Sequence, residues 1–220
     1  MLSVLFVEVR EINLSRNLNN CSFSIIFVSY FKINSKGIMF NSIQMKFNES
    51  KTINAVLYIS EKLKRKDFHK IFKILYFSDR EHLSTYGRTI TGDTYIAMAD
   101  GPVPSNLYDI FKSVRGDGYY KDSGKFGQYF FVVDWDLVKL NKKADLTELS
   151  QTDLTCIDNN LKIYSDMSWD EIREKSHDYA WRNSIQNRPI DFANIIREAG
   201  ENDDYIDYLK EQSLLSEYSE

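Results

Sequence analysis

The stretch from Asp67 to Phe111, DFHKIFKILYFSDREHLSTYGRTITGDTYIAMADGPVPSNLYDIF, constrains the fold more than any other part of the chain. Its first half reads as a helix. Asp67 is a side-chain N-cap, and Phe68, Ile71, Phe72, Leu75, Tyr76 and Leu83 recur with helical spacing. Gly87 ends that helix, as glycine does where the backbone turns left-handed. Two polar residues, Asp79 and His82, sit on the apolar stripe three apart and share one face. Beyond Gly87 and Gly92, the alternation Thr94-Tyr95-Ile96-Ala97-Met98 predicts a short strand closed by Asp100-Gly101. Pro102 and Pro104 then bracket the entry to another helix, with Pro104 or Ser105 in its first turn.

Elements on either side extend this order. Asn48 can cap a helix with Ile53, Val56, Leu57 and Leu63 on its apolar face, ended on the basic side by Lys64-Arg65-Lys66. The helix after Pro104 carries Leu107, Ile110, Phe111 and Val114 and is closed by Gly116. Residues 116–127 read as a glycine-rich turn. Tyr129 to Val133 is a strand, expected to pair with the one at Tyr95–Met98 or with Tyr119–Lys121. A helix from Ser150 or Thr152 carries Leu154, Ile157 and Leu161. Ser168-Trp169-Asp170-Glu171 is a capping box opening a short helix that reaches His177. Pro189 breaks the chain, and helices follow from Asp191 to Gly200 and from Asp203 to Gln212. The fold class is α+β: a predominantly helical single domain with a small antiparallel sheet or hairpin. We place it at residues 45–212, with 213–220 as an acidic tail. Residues 1–44 hold two β-prone runs around an Asn-rich segment and read as a dispensable N-terminal extension.

Charge and cysteine content narrow the compartment and the partners. The formal net charge is -4, but residues 198–220 hold eight acids against one lysine. Between Glu61 and Lys73 six basic residues face two acids, a run that reads first as a solvated helix corner. Cys21 and Cys156 make neither a disulfide framework nor a metal motif, which fits a reducing cytosol. No run approaches the roughly 18 apolar residues of a membrane helix. The first fifteen residues lack a basic start and carry Glu8 and Glu11, unlike a signal peptide. A cytoplasmic protein is expected.

The run Lys73-Ile74-Leu75-Tyr76-Phe77-Ser78-Asp79-Arg80-Glu81-His82-Leu83, with Tyr86-Gly87-Arg88, Ile90-Thr91-Gly92-Asp93, Tyr95, Ala97-Met98 and Gly101-Pro102-Val103-Pro104, resembles the signature of the Panacea domain. This is the SocA-like antitoxin domain, also met in phage-associated GepA-like proteins. His177-Asp178-Tyr179-Ala180-Trp181 resembles the family's second block, and the likeness spans roughly Met45 to Leu209. It implies a cytosolic antitoxin that neutralises a co-encoded toxin by direct binding, in one branch by handing the toxin to a protease. It also implies that the chain is no enzyme and needs no cofactor. Asp79, His82, Gly87, Gly92, Gly101, Pro102, Pro104, His177 and Trp181 are the signature residues.

Other chemistry competes with this reading. Asp79, His82 and His177 contain the makings of a metal site or an acid–base pair. An Asp and a His on an apolar helix face more commonly satisfy each other or nearby backbone groups, because unpaired burial is costly. Cys156 has no nucleophile context, and no Walker loop or Gly-x-Ser-x-Gly is present. A DNA-binding regulator is the alternative function, supported by the basic corner and opposed by the acidic balance and by a third helix with Lys112 and Arg115 alone. Tyr86, Tyr95, Tyr108, Tyr119, Tyr120 and Trp181 flank the glycine and proline turns. Tyr86, Arg88, Tyr95 and Tyr108 are the candidate partner contacts, because tyrosines and arginines on rigid turns suit protein interfaces.

Overall fold

The computed structural model describes residues 42–43, 45–118 and 124–217. Apart from Ser42 and Ile43, the expected N-terminal extension lies outside the described residues. So do Tyr119, Tyr120 and positions 218–220 of the tail.

Helix α2 (Phe68–Tyr86) is the axis. Its N-cap Asp67 accepts from the Lys70 N–H at 2.8 Å, and Gly87 closes it in the left-handed region at φ 74°. Every residue from Ile71 to Asp79 is buried, so the helix is enclosed all round rather than along one stripe. Packed against it are α1 (Glu49–Lys62), α4 (Gln151–Tyr164), α5 (Trp169–Ser176), α7 (Phe192–Glu198) and strand β2 (Gly101–Pro104). Asn48 caps α1, while Ser150 and Ser168 open α4 and α5 with capping boxes closed by Asp153 and Glu171. The remaining helices are α3 (Ser105–Arg115), the one-turn α6 (Tyr179–Arg182) and α8 (Asp203–Glu217). Helix α8 runs past Gln212, so the acidic end of the chain is helical up to Glu217 rather than a tail from 213.

The strands form two antiparallel hairpins. Strand β1 (Tyr95–Met98) pairs with β2, and β3 (Phe130–Val133) pairs with β4 (Leu137–Leu140). The first corrects the reading of Gly101–Pro104 as a helix entry alone. Prolines are tolerated in a strand only where no ladder N–H is needed. Here the Ala97 N–H donates to Arg188 O at 3.0 Å, and Ala97 O and Tyr95 O accept from Asn187 and Ile190, both at 2.8 Å. Those residues turn their polar groups away from β2, so Pro102 and Pro104, lying opposite, lose no bond. The second hairpin corrects the expected partner of the strand at 129–133, which pairs with neither Tyr95–Met98 nor Tyr119–Lys121. The return is made by a glycine-free turn, with Asp134 and Trp135 both at positive φ (49° and 66°). Without Asn-Gly or Asp-Gly, nothing in the local sequence announced it.

The packed unit also begins earlier than Met45. Ile43 is 4% exposed and belongs to the core, with Met45 and Phe47 packed against it. A chain starting at Met45 is therefore not equivalent to one starting at Ser42. Burying one isoleucine stabilises by about 1.5–3 kcal/mol. Urea denaturation of the two truncated chains will show the Met45 form less stable by up to that amount. Equal midpoints would mean that Ile43 contributes nothing.

Candidate functional site

The signature residues gather at two places along α2. The first is the connector between Gly87 and β1. Asp79 is 1% exposed and accepts four hydrogen bonds there: from the N–H groups of Ile90 (2.7 Å) and Thr91 (3.2 Å), the Thr91 hydroxyl (2.6 Å) and the Tyr95 hydroxyl (2.7 Å). Burial pushes its carboxyl up to about 6, opposed by the Thr91, Tyr95 and Ile90 bonds. His82, one helical turn on and 0% exposed, does not touch Asp79 in this network. Its Nδ1 donates to Arg88 O at 2.8 Å, and its Nε2 lies 3.1 Å from Asp153 and 3.0 Å from the Thr152 hydroxyl. Asp153 also takes Lys51 at 2.7 Å and Arg88 at 3.0 Å, tying α1, α2, the connector and α4 together. Burial alone would raise the Asp153 carboxyl. Bonds from His82, Lys51 and Ser150 outweigh it and hold the group far below the usual carboxylate range.

Asp93 completes the connector. Helix α3 has Pro104 at its N-cap, with no side chain able to cap it. Asp93 supplies the acceptor from eleven residues upstream in the chain, binding Asn106 N–H at 3.0 Å and Leu107 N–H at 2.9 Å. Gly92 adopts φ 68°, and a Cβ there would lie 2.0 Å from Lys46 O, so the chain before α1 crosses directly over it. In the sequence Asp93 stands only within the signature run, and Asp153 falls in the first turn of a helix with nothing to mark its other partners. The Ser150-x-x-Asp153 box was the available signal for the latter.

The second place is the tip of the β1–β2 hairpin, which docks on the N-terminal half of α2 and on α5. Lys73 is fully buried, and its ammonium donates to Pro102 O at 2.8 Å. Gly101, at φ 95°, leaves room for Lys73 Nζ and the Ser176 hydroxyl that a Cβ would meet. Arg173 binds Asp100 at 2.9 Å, and the Trp181 indole N–H donates to Met98 O at 2.8 Å. His177 stacks on Trp181 with ring centroids 3.8 Å apart, and His69 stacks on Trp169 at 4.7 Å. Burial draws Lys73 down to about 7, with Asp100 opposing it. His177 therefore lies with Trp181 at the hairpin tip, separate from the Asp79–His82 connector. Among the described residues no group of His, Cys, Asp and Glu is arranged to hold a metal.

The four candidate contacts divide. Tyr86 is 47% exposed and packs one face on His82. Arg88 is half-exposed but held by Asp153. Tyr108 is half-buried against Phe68 and Phe72. Tyr95 is 1% exposed with its hydroxyl on Asp79, which corrects its reading as a surface contact. Half of the basic run is paired with acids, Lys62 with Asp158, Lys64 with Asp166 and Arg65 with Asp136, while Lys66, Lys70 and Lys73 donate to backbone carbonyls.

A family model for the SocA-like antitoxin, Panacea domain, matches residues 71–182, just over half of the chain. The chain belongs to this family. The match starts inside α2 and ends with α6, so it covers both anchor points of the Panacea domain, and α1, α7 and α8 flank it. No curated protein and no solved structure matches the chain. No helix among the described residues is long and apolar enough to cross a membrane.

Two variants test the anchors. Asp79→Ala leaves four buried donors without an acceptor and will cost more than about 3 kcal/mol in chemical denaturation; a loss under about 1 kcal/mol would show that the connector holds without it. Lys73 titrates near 7 in the folded state and near 10.5 unfolded. The unfolded chain thus binds more protons between those values, so stability rises with pH across that window. The stability difference between the wild type and Lys73→Met will follow that rise. A flat difference from pH 7 to 10 would exclude the titration.

Proposed function

We propose that this Panacea-domain chain is the antitoxin of a toxin–antitoxin pair, acting in the cytosol by binding a co-encoded toxin directly, without catalysis or a cofactor. Membership of the SocA-like antitoxin family carries this reading. The engagement of the signature polar groups supports it. Asp79, His82 and Asp93 are buried and bonded to backbone and side-chain partners of their own chain, as a scaffold requires. The engagement of the basic run, half with acids and half with backbone carbonyls, favours a protein over nucleic acid as partner. Neutralisation proceeds either by masking the toxin or by delivering it to a protease.

Co-expression of the adjacent reading frame with and without this chain tests the proposal. The neighbour alone will arrest growth, the pair will grow, and the two proteins will co-purify. A neighbour that is harmless alone, or that stays toxic beside this chain, overturns the reading. The toxin's half-life after synthesis is stopped separates the two routes, because masking preserves the toxin and delivery shortens its life.

A further inference from the structure

The segment between α6 and α7 braces β1 through its backbone and presents exposed side chains outward. A pocket of about 270 Å³ opens there, with Ala97 and Ala99 as its small-residue lining, Trp181 as its aromatic wall, and Arg182, Ser184 and Gln186 around it. Beside it stands Ile185, 76% exposed. This isoleucine opens a turn closed by the Arg188 N–H on Ile185 O at 3.0 Å, with Asn187 at φ 61° inside it. The turn is fixed rather than loose, because Asn187 N–H donates to Ala97 O and Ala97 N–H to Arg188 O. An apolar residue on a braced turn loses little freedom on docking.

Many of the cations on this chain are neutralised by a neighbouring acid, and the two arginines here are not. Lys62, Lys64, Arg65, Arg115, Arg173 and Arg197 each face a carboxylate within 4 Å. Arg182 and Arg188 are exposed and, among the described residues, neither is in an ion pair; Arg182 uses its Nε on His177 O at 2.6 Å. From Trp181 to Ile190 the chain carries these two arginines and no acid. We propose that this surface, formed by the Trp181 pocket, Ile185, Arg182 and Arg188, docks an acidic segment of a protein partner, with an apolar or aromatic side chain of that segment entering the pocket. Carboxylates on either side of that side chain meet the two arginines, and Ile185 packs against its flank. Trp and Arg are the residue types that dominate binding at such centres. Two cations around a pocket suit a peptide that brings an apolar side chain between its carboxylates, whereas binding to a phosphate backbone rests on a larger array of cations. That the partner is the toxin rests on the function proposed above; the docking site itself does not.

The test uses the full chain labelled with ¹⁵N and the peptide acetyl-Glu-Phe-Glu-amide. Titration is expected to shift the Trp181 indole N–H and the amides of Ile185 to Arg188 saturably. The uncharged acetyl-Gln-Phe-Gln-amide will bind at least threefold more weakly, and the Arg182→Gln/Arg188→Gln double variant will abolish the preference. Absence of shifts, equal shifts from both peptides, or tighter binding of a single-stranded oligonucleotide at the same amides overturns the proposal. With the co-encoded protein, Ile185→Asp will weaken the complex at least tenfold while the unfolding midpoint stays unchanged. If that protein binds neither wild type nor variant, the antitoxin reading falls, and the peptide titration still decides the site.

Discussion

The structure depends on one buried carboxylate. Asp79 lies in the middle of an enclosed helix and takes four donors from a connector that has no regular structure of its own. A loop in that position would otherwise bury unpaired N–H groups, each costing a few kcal/mol. By meeting them, Asp79 sets where Thr91 lies. That in turn sets the chain before α1, because the Asn48 N–H donates to Thr91 O at 2.8 Å. It also sets Asp93, which caps α3. The helices on both sides of the connector are thus positioned by a single side chain, and His82 with Asp153 extends the same logic to α4.

Much of this was legible in the chain before any coordinates. Asp67, Ser150 and Ser168 are side-chain caps with local signals, and Gly87 and Gly116 are stops. All five stand where their local chemistry places them. What escaped was chemistry that acts across distance. Pro102 and Pro104 argued against a strand, and only the turning of Ala97 and Tyr95 toward residues 187–190 makes them acceptable. The return of β3 through Asp134 and Trp135 has no glycine to mark it. Tyr95, read as a surface residue because it flanks turns, is held inside by a hydroxyl bond to a carboxylate sixteen residues earlier.

The candidate site was legible in its residues more than in its geometry. The signature set Asp79, His82, Gly92, Gly101, His177 and Trp181 resolves into two anchor points on α2, one under the connector and one under the hairpin tip. Sequence spacing alone placed Asp79 and His82 together but could not show that each faces a different partner. Lys73 was hidden because it lies off the apolar stripe of α2 and ends the basic run from Glu61, where a lysine looks solvated rather than the donor that seats β2.

The enclosure of the β1–β2 hairpin has a consequence for how this domain meets other chains. Strand β1 is bonded on one side to β2 and on the other to residues 187–190. On β2, two residues lack an N–H altogether, and the Pro102 carbonyl is taken by Lys73. Neither margin of the hairpin offers a row of open backbone groups, so an incoming strand has nothing to zip onto there. Recognition at this end of the molecule must be read from side chains, one pocket or charge at a time. Such a surface can drift toward a new partner by point substitution while the backbone beneath it stays as it is.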